Sequence, residues 1–500
     1  MRLNEILKRD GATVRGTGRR VRGGSLLAGG VLLLTGIGQL PAGEIVASSE
    51  VEATSNIIDR DANLAKLSEN LDLDSAIYLA MENNYQLRQA QERVIRQMDV
   101  IRQARGALLP AVTGTGTWSK VADSLVEHQD GIRIRDTEDW STAIEVSQNI
   151  YAGGSDWAFM KAQMLTLAAN KAELQGLINE TALGVKQRYY DAQLALAQIG
   201  VQEDLVELRE AELKNAQNRL DAGVGSNFEA LRARVALSNS RPELIRANNT
   251  YVLNLQELRR YIGLQELGKD GLKLAAGIHT ETIDINEKDA LDRAAGKRPE
   301  IAQLSLVVES QKSGVRVQIG QMLPVVQAFT QYQVNRASSG ADENTLSGGL
   351  IGVRGNWNIW DGGATQAKVQ QARSDVRSAE LSLDELKFNI EVEVRRAYSG
   401  VVNARELVKA SEQTVTEAEE SLRLANSRLE VGAATQLDIL DSQLQLTQAR
   451  TNKIQSLRDL NVAIATLKTA VGEGVREDMV LPEVKMAKEE KPVKKVKTKE

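Results

Sequence analysis

The 500-residue chain contains no cysteine, two histidines, seven prolines and only 4% aromatic residues. The missing thiol excludes a thiol nucleophile, cysteine-ligated metals and lipid attachment at an N-terminal cysteine. A His pair remains formally possible, but His128 and His279 each lie in a polar, loop-like stretch that suits a solvated surface role. So few aromatics, with four prolines between residues 70 and 475, fit long helices better than a globular enzyme of this length. No phosphate loop, metal-ligand cluster or nucleophile constellation appears, so no enzyme activity, cofactor or metal is expected. The net charge of −5 carries no basic face of the kind nucleic acid requires.

What is present is present twice. Residues 147–154 read SQNIYAGG and residues 356–363 read NWNIWDGG. An offset of 209 carries Asn149 onto Asn358, Tyr151 onto Trp360, and Gly153 and Gly154 onto Gly362 and Gly363. The same offset holds without a gap through Tyr189 and Tyr398, Leu213 and Leu422, Gly223 and Gly432, and Arg241 and Arg450. Upstream the offset is 214, pairing RQARGALLP (102–110) with RVQIGQMLP (316–324). The first copy therefore carries five extra residues between its Leu-Pro and its Asn-Ile, and the chain is expected to hold two internal repeats, 73–277 and 278–475.

Outside the repeats, four arginines in 15–22 precede the apolar run 25–38 and small residues follow it. That run is too short to span a membrane and reads as the core of a signal peptide over about 1–47, followed by an N-terminal extension, 48–72. At the other end, 476–500 is lysine-rich without apolar periodicity and is expected to be a disordered tail.

Each repeat has one order: a helix, two short alternating runs, a Gly-Gly break, a very long helix and a shorter one. The first helix is expected from about Asp74 to Leu109, where Pro110 cannot continue it. The runs 111–119, 142–150, 325–334 and 349–359 have the ~9–11 residues of a tilted transmembrane strand. Ile144, Val146 and Ile150 alternate with Glu145, Ser147 and Asn149; Ile351, Val353, Trp357 and Ile359 flank Arg354, Asn356 and Asn358. One face suits lipid and the other water, unless the pair is a soluble hairpin packed on a helix. Trp118, Trp140, Trp157, Trp357 and Trp360 all lie in or beside these runs, with Tyr151 at one Gly-Gly turn, as membrane-interface aromatics would. Four strands cannot close a barrel, so a barrel would be shared among copies. Two copies would give a filled bore, three a ~12-stranded barrel with room for water.

The long helical stretches, about 151–222 and 361–431, match the summed lengths of the shorter helices beside them, as in a uniform tube wall. Val415, Ala418, Leu422, Ala425 and Leu429 are spaced as in a coiled coil, with Leu437, Leu440 and Leu444 expected to answer after the turn. Pro242 is expected to kink its helix.

The doubled NIYAGG/NIWDGG turn, the doubled Leu-Pro helix end, KRPEI (297–301) and the hairpins RLDAGVGSNFEALRAR (219–234) and RLEVGAATQLDILDSQ (428–443) resemble the TolC family of outer-membrane efflux and secretion channels over about residues 70–475. The resemblance implies a mainly α fold with a small transmembrane β part: a coiled-coil-like α-helical barrel continued by a 12-stranded β-barrel shared by a homotrimer in outer-membrane lipid. It further implies a periplasmic adaptor (membrane fusion) protein and an inner-membrane transporter of the ABC or RND type as partners. Asp438 and Asp441, at i and i+3, match the family's pore-facing acidic pair at the periplasmic gate, with Glu229 and Arg232 on the other hairpin. Leu429 and Ala434 stand where the best-known members use a tyrosine and an arginine. Thr435-x-x-Asp438 and Ser226-x-x-Glu229 also have capping-box spacing, so Asp438 and Glu229 can equally serve helix starts. A secreted coiled-coil structural or adhesive protein without a pore is the alternative function; it has no need of lipid-facing strands.

Overall fold

The computed structural model describes residues 71–120, 128–129, 132–133, 138–264, 273–275, 277, 283–339 and 342–475. The expectations for 1–47, for most of 48–72, for His279, for the His128 side chain and for 476–500 lie outside the described residues.

The chain enters on helix α1 (Leu73–Asn83), whose N-cap Asp72 accepts a bond from the Ser75 N–H. The single helix expected from Asp74 to Leu109 is in fact two. Asn84 takes an extended conformation (φ −61°, ψ 125°), and its side chain caps α2 (Tyr85–Gly106) by accepting from the Gln86 and Leu87 N–H groups. Its amide also donates to the Tyr261 carbonyl at 2.8 Å. The 214 offset carries Asn84 onto Arg298, which breaks the second repeat in the same place, between α5 (Glu287–Lys297) and α6 (Pro299–Gly320). There Pro299 disfavours a helical Arg298, and the Arg298 guanidinium grips Glu393 through both Nη atoms at 3.1 and 2.8 Å.

Strands β1 (Ala111–Lys120), β4 (Glu138–Ala152), β5 (Val325–Ser339) and β6 (Asp342–Asn356) form one antiparallel sheet in the order β1-β4-β5-β6. Between β1 and β4, β2 (His128–Gln129) and β3 (Ile132–Arg133) pair as a separate small ribbon. The strands run longer than the sequence runs suggest, except that β6 ends at Asn356 rather than Ile359. Asn356 lies opposite Val325, the first residue of β5, so beyond it the chain has no neighbouring strand to pair with. Trp357 and Ile359 are therefore outside the strand. Ile150 does not continue the alternation either: a bulge between Asn149 and Tyr151 inserts it as the extra residue.

The Gly-Gly turns launch α3 (Ser155–Asp221) and α7 (Ala364–Glu430), each 67 residues and therefore ~100 Å long. Hairpin turns return them as α4 (Asn227–Ile262) and α8 (Gln436–Ala470). The α4 helix is not interrupted at Pro242. The hydrophobic core sits at the level of the helix breaks, one cluster per repeat. Leu87, Val185, Tyr189, Leu258 and Ile262 belong to the first, and Val394, Ile464, Leu467 and Val471 to the second. Toward the hairpin tips the buried seams thin to a few residues: Ala216, Ala230 and Ala233 in one hairpin, and Ala418, Leu446 and Ala449 in the other. Leu437 and Leu444, expected to answer the α7 stripe, are exposed. The buried stripe on α8 is Ile439, Ser442, Leu446 and Ala449, shifted in phase so that Leu446 and Ala449 meet Ala418.

The two repeats differ in their surroundings. Among the described residues, helix α3 packs on α1, α2 and α4 of its own repeat and on α6 and α8 of the other, whereas α7 packs substantially only on α5, α6 and α8.

Candidate membrane belt and channel tip

The register divides the sheet into two unlike faces. Trp118 lies opposite Trp140, Val112 opposite Val146, Ile144 opposite Tyr332, and Ile351 and Val353 opposite Thr330 and Ala328. This face is open: Ile351 is 84% exposed and Val353 67%. The bulge at Ile150 reverses the alternation, so that Tyr151 joins Val326 on the same face. Trp118 and Trp140 thus mark one end of the apolar face and Tyr151 the other. With the bulge residue not counted, the step from Trp140 to Tyr151 spans roughly 33 Å at ~3.3 Å per residue. Tilted by ~40°, as in membrane barrels, it covers about 25 Å of depth, the height of an outer-membrane apolar band. Trp357 and Trp360 flank the Tyr151 end of the sequence duplication just past β6; the Trp357 indole donates to the Met322 carbonyl at 3.1 Å, and Trp360 is 81% exposed. Trp157 lies in the first turn of α3 rather than on a strand.

The opposite face is more polar: Thr113, Thr115, Glu145, Gln327, Gln331 and Arg354 stand there beside Phe329 and Leu350. Glu145 and Arg354 form an ion pair at 3.1 Å that reaches over β5, and the Arg354 guanidinium lies 4.7 Å above the Phe329 ring. Gly352 leaves space for that ring, since a Cβ there would touch it at 3.0 Å. An apolar outer face and a charged inner one are what a sheet between lipid and water requires. Among the described residues, β1 and β6 each have one side without a strand partner.

All four turn glycines have positive φ: 61° and 75° at Gly153 and Gly154, 71° and 86° at Gly362 and Gly363. Gly154 and Gly363 are the N-caps of α3 and α7. At Gly153 a Cβ would overlap the Gly320 carbonyl, so this turn is pressed against the end of α6.

At the far ends of the long helices, both capping boxes form. Ser226 and Glu229 close one; in the other, the Asp438 carboxylate accepts from the Thr435 N–H at 2.7 Å and hydroxyl at 2.8 Å. These bonds hold the Asp438 carboxyl below its ordinary value, with the positive charge of Arg428 adding to the effect. Asp441, one turn further, accepts among the described residues only from Gln445, at 2.8 Å, and is exposed. Arg232 forms no ion pair with Glu229 within the described residues; Glu229 is turned back to its own helix start. Between the tip and the core lies a cluster that patterning did not reveal. Arg209 donates to Glu212 at 3.0 Å and to Gln443 at 2.7 Å, and Gln443 donates back to Glu212, all three buried. It ties α3 to α8, hence the first hairpin to the second. No described helix is long and apolar enough to cross a membrane, and no described cluster of His, Asp and Glu has metal-site geometry.

Comparison with known proteins agrees with this geometry. The family model for outer membrane efflux proteins matches residues 76–264 and 290–473, one segment in each repeat. The outer membrane efflux protein BepC of Brucella suis is 23% identical over 87% of this chain and 92% of its own length. TolC of Vibrio cholerae is 23% identical over 80% and 90%. Among solved structures, the Campylobacter jejuni CmeC outer membrane channel superposes with a TM-score of 0.69 at 16% identity, covering 82% of this chain and 87% of that one. The open state of the Neisseria gonorrhoeae MtrE outer membrane channel gives 0.68 at 15% identity, covering 82% and 91%.

Proposed function

The chain belongs to the outer membrane efflux protein family, and on that premise we propose that three copies close one continuous passive duct from periplasm to exterior, gated at the hairpin tips. The four-stranded sheet with two free edges carries this reading. Each edge strand would leave a row of backbone N–H and C=O groups in lipid, where every unpaired group costs several kcal/mol. Pairing β6 of one copy with β1 of the next removes both edges and keeps the antiparallel alternation. Three copies supply 12 strands, enough for a water-filled lumen faced by Glu145, Arg354 and the glutamines.

Below the sheet, α3 and α7 extend the wall for ~100 Å. The open side of α7 receives the next copy. At the tips, Asp441 faces the axis, and Asp438, although it caps α8, lies on the same helix side three residues earlier. Glu229 and Arg232 belong to the same ring of tip residues. The duct performs no chemistry: energy and cargo selection come from an inner-membrane transporter joined through a periplasmic adaptor. Cargo consists of small molecules or secreted polypeptides.

Native mass measurement in mild detergent, combined with conductance in planar bilayers, tests the reading. Three chains and a discrete conductance are expected. A folded monomer retaining its full β-content would overturn it.

A further inference from the structure

We propose that an ion pair, Arg96 of one copy to Asp375 of the next, joins neighbouring copies at the place where two hydroxyls join the two halves of one chain. The proposal rests on the multi-copy duct above and adds its register and chemistry.

Within one chain, β4 and α3 of the first repeat lie against β5 and α6 of the second. The 209 offset carries β4 and α3 onto β6 and α7; the 214 offset carries α6 and β5 back onto α2 and β1. The intrachain seam therefore maps onto two surfaces that the described residues leave uncovered, the far side of β6 and α7 and the near side of β1 and α2. In the helical part of the seam, the Thr166 hydroxyl lies 3.1 Å from the Ser310 hydroxyl, and Ser310 also donates to the Ala162 carbonyl. The offsets convert Thr166 into Asp375 and Ser310 into Arg96. Both are exposed, and neither has a hydrogen-bond or ion-pair partner among the described residues. Two positions chosen by register alone thus bear opposite charges, each facing solvent in the single chain.

The turn glycines supply a second observation. Gly153 is pressed onto Gly320, and each would clash if it carried a Cβ. Their counterparts are Gly362 and Gly106, and a Cβ on either meets nothing within 4 Å. Gly106 ends α2 with no neighbour among the described residues to explain the absence of a side chain there; the same close approach to the next copy's Gly362 explains it.

The strand register gives the third. Ile144 opposite Tyr332 and Asn149 opposite Gln327 become Val353 opposite the next copy's Trp118 and Asn358 opposite its Thr113. Trp357 and Asn358, which have no strand neighbour among the described residues, acquire one. The five-residue insertion lies in the β1–β4 connection, away from this seam.

Because the protein has no cysteine, disulfides can be introduced into the otherwise unaltered full chain. Oxidation of the Arg96→Cys/Asp375→Cys variant in membranes is expected to yield covalent dimers and trimers, while Thr166→Cys/Ser310→Cys closes within one chain and yields none. Arg96→Glu or Asp375→Arg is expected to lower the fraction of trimer surviving in mild detergent severalfold, and the charge swap Arg96→Glu/Asp375→Arg to restore it. A native trimer with neither intermolecular cross-links nor rescue overturns this inference and leaves the duct intact. Cross-links with no response to charge reversal overturn the ion pair. A monomeric unmodified protein removes the duct reading itself.

Discussion

Glu145 and Arg354 occupy the same position in the two repeats, 209 residues apart, and are bonded to each other across β5. Duplication followed by opposite charge has made one site its own partner. In a three-copy barrel the two would alternate around the lumen. Glu145→Gln leaves Arg354 without its counter-charge, so the reversal potential in planar bilayers should move toward anions, and Arg354→Gln should move it toward cations. Because the Arg354 side chain is half exposed, loss of trimer stability should be small, at most about 1 kcal/mol by thermal dissociation.

At the tip, Asp441→Asn keeps size and removes charge. Single-channel recording should show weaker block by divalent and trivalent cations and reduced cation selectivity, with assembly unchanged. An Asp438→Asn/Asp441→Asn variant with block and selectivity identical to the parent would place both side chains off the constriction.

The Asp438 cap is also pH-dependent. Its carboxyl is held below the unfolded value, so its contribution to the α8 start is complete above the ordinary carboxylate range and is lost as pH falls through the depressed value. The protection factor of the Thr435 N–H, which donates to the Asp438 carboxylate, should hold through mild acid and then fall, and Asp438→Asn should flatten that response.

Glu212 balances a buried guanidinium. Glu212→Ala leaves Arg209 with Gln443 alone and should destabilise the junction between the hairpins by about 3–5 kcal/mol. Chemical denaturation measures the loss, and open-channel dwell times should lengthen if the hairpins separate. Gln443→Leu, which removes an uncharged partner, should cost less.

Gly153→Ala combines a positive φ with a clash into the Gly320 carbonyl, while Gly154→Ala has the positive φ and open space. The first should lower the yield of folded trimer markedly. The second should cost only ~1–2 kcal/mol of backbone strain. Heat resistance of the purified trimers ranks them.

The duplicated strand-to-helix turn, the long helices and the family were legible in the sequence because each rests on local spacing or on self-comparison. The break at Asn84 was not. It is held by a hydrogen bond to Tyr261, 177 residues away, and ENNYQL contains no proline to announce it. Its counterpart was announced, since Pro299 follows Arg298, and transferring that signal back by the 214 offset locates the first break. The bulge at Ile150 and the early end of β6 depend on what lies alongside, which composition does not encode. Capping-box spacing at Thr435 and Ser226 did translate directly into bonds. The Arg209, Glu212 and Gln443 cluster was hidden because polar residues on a long helix ordinarily face solvent.

The equal length of α3 and α7 has a mechanical consequence. A helix turns ~100° and advances ~1.5 Å with every residue, so one residue added to α3 alone would rotate everything beyond it by more than a quarter turn. Asp191, Arg209 and Glu212 would then miss Arg458 and Gln443 on α8, which is tied to the unaltered α7. The two 67-residue helices behave as phase-locked rods: the wall can be lengthened or shortened only by matched changes in both repeats, in steps that restore the angular phase as well as the height.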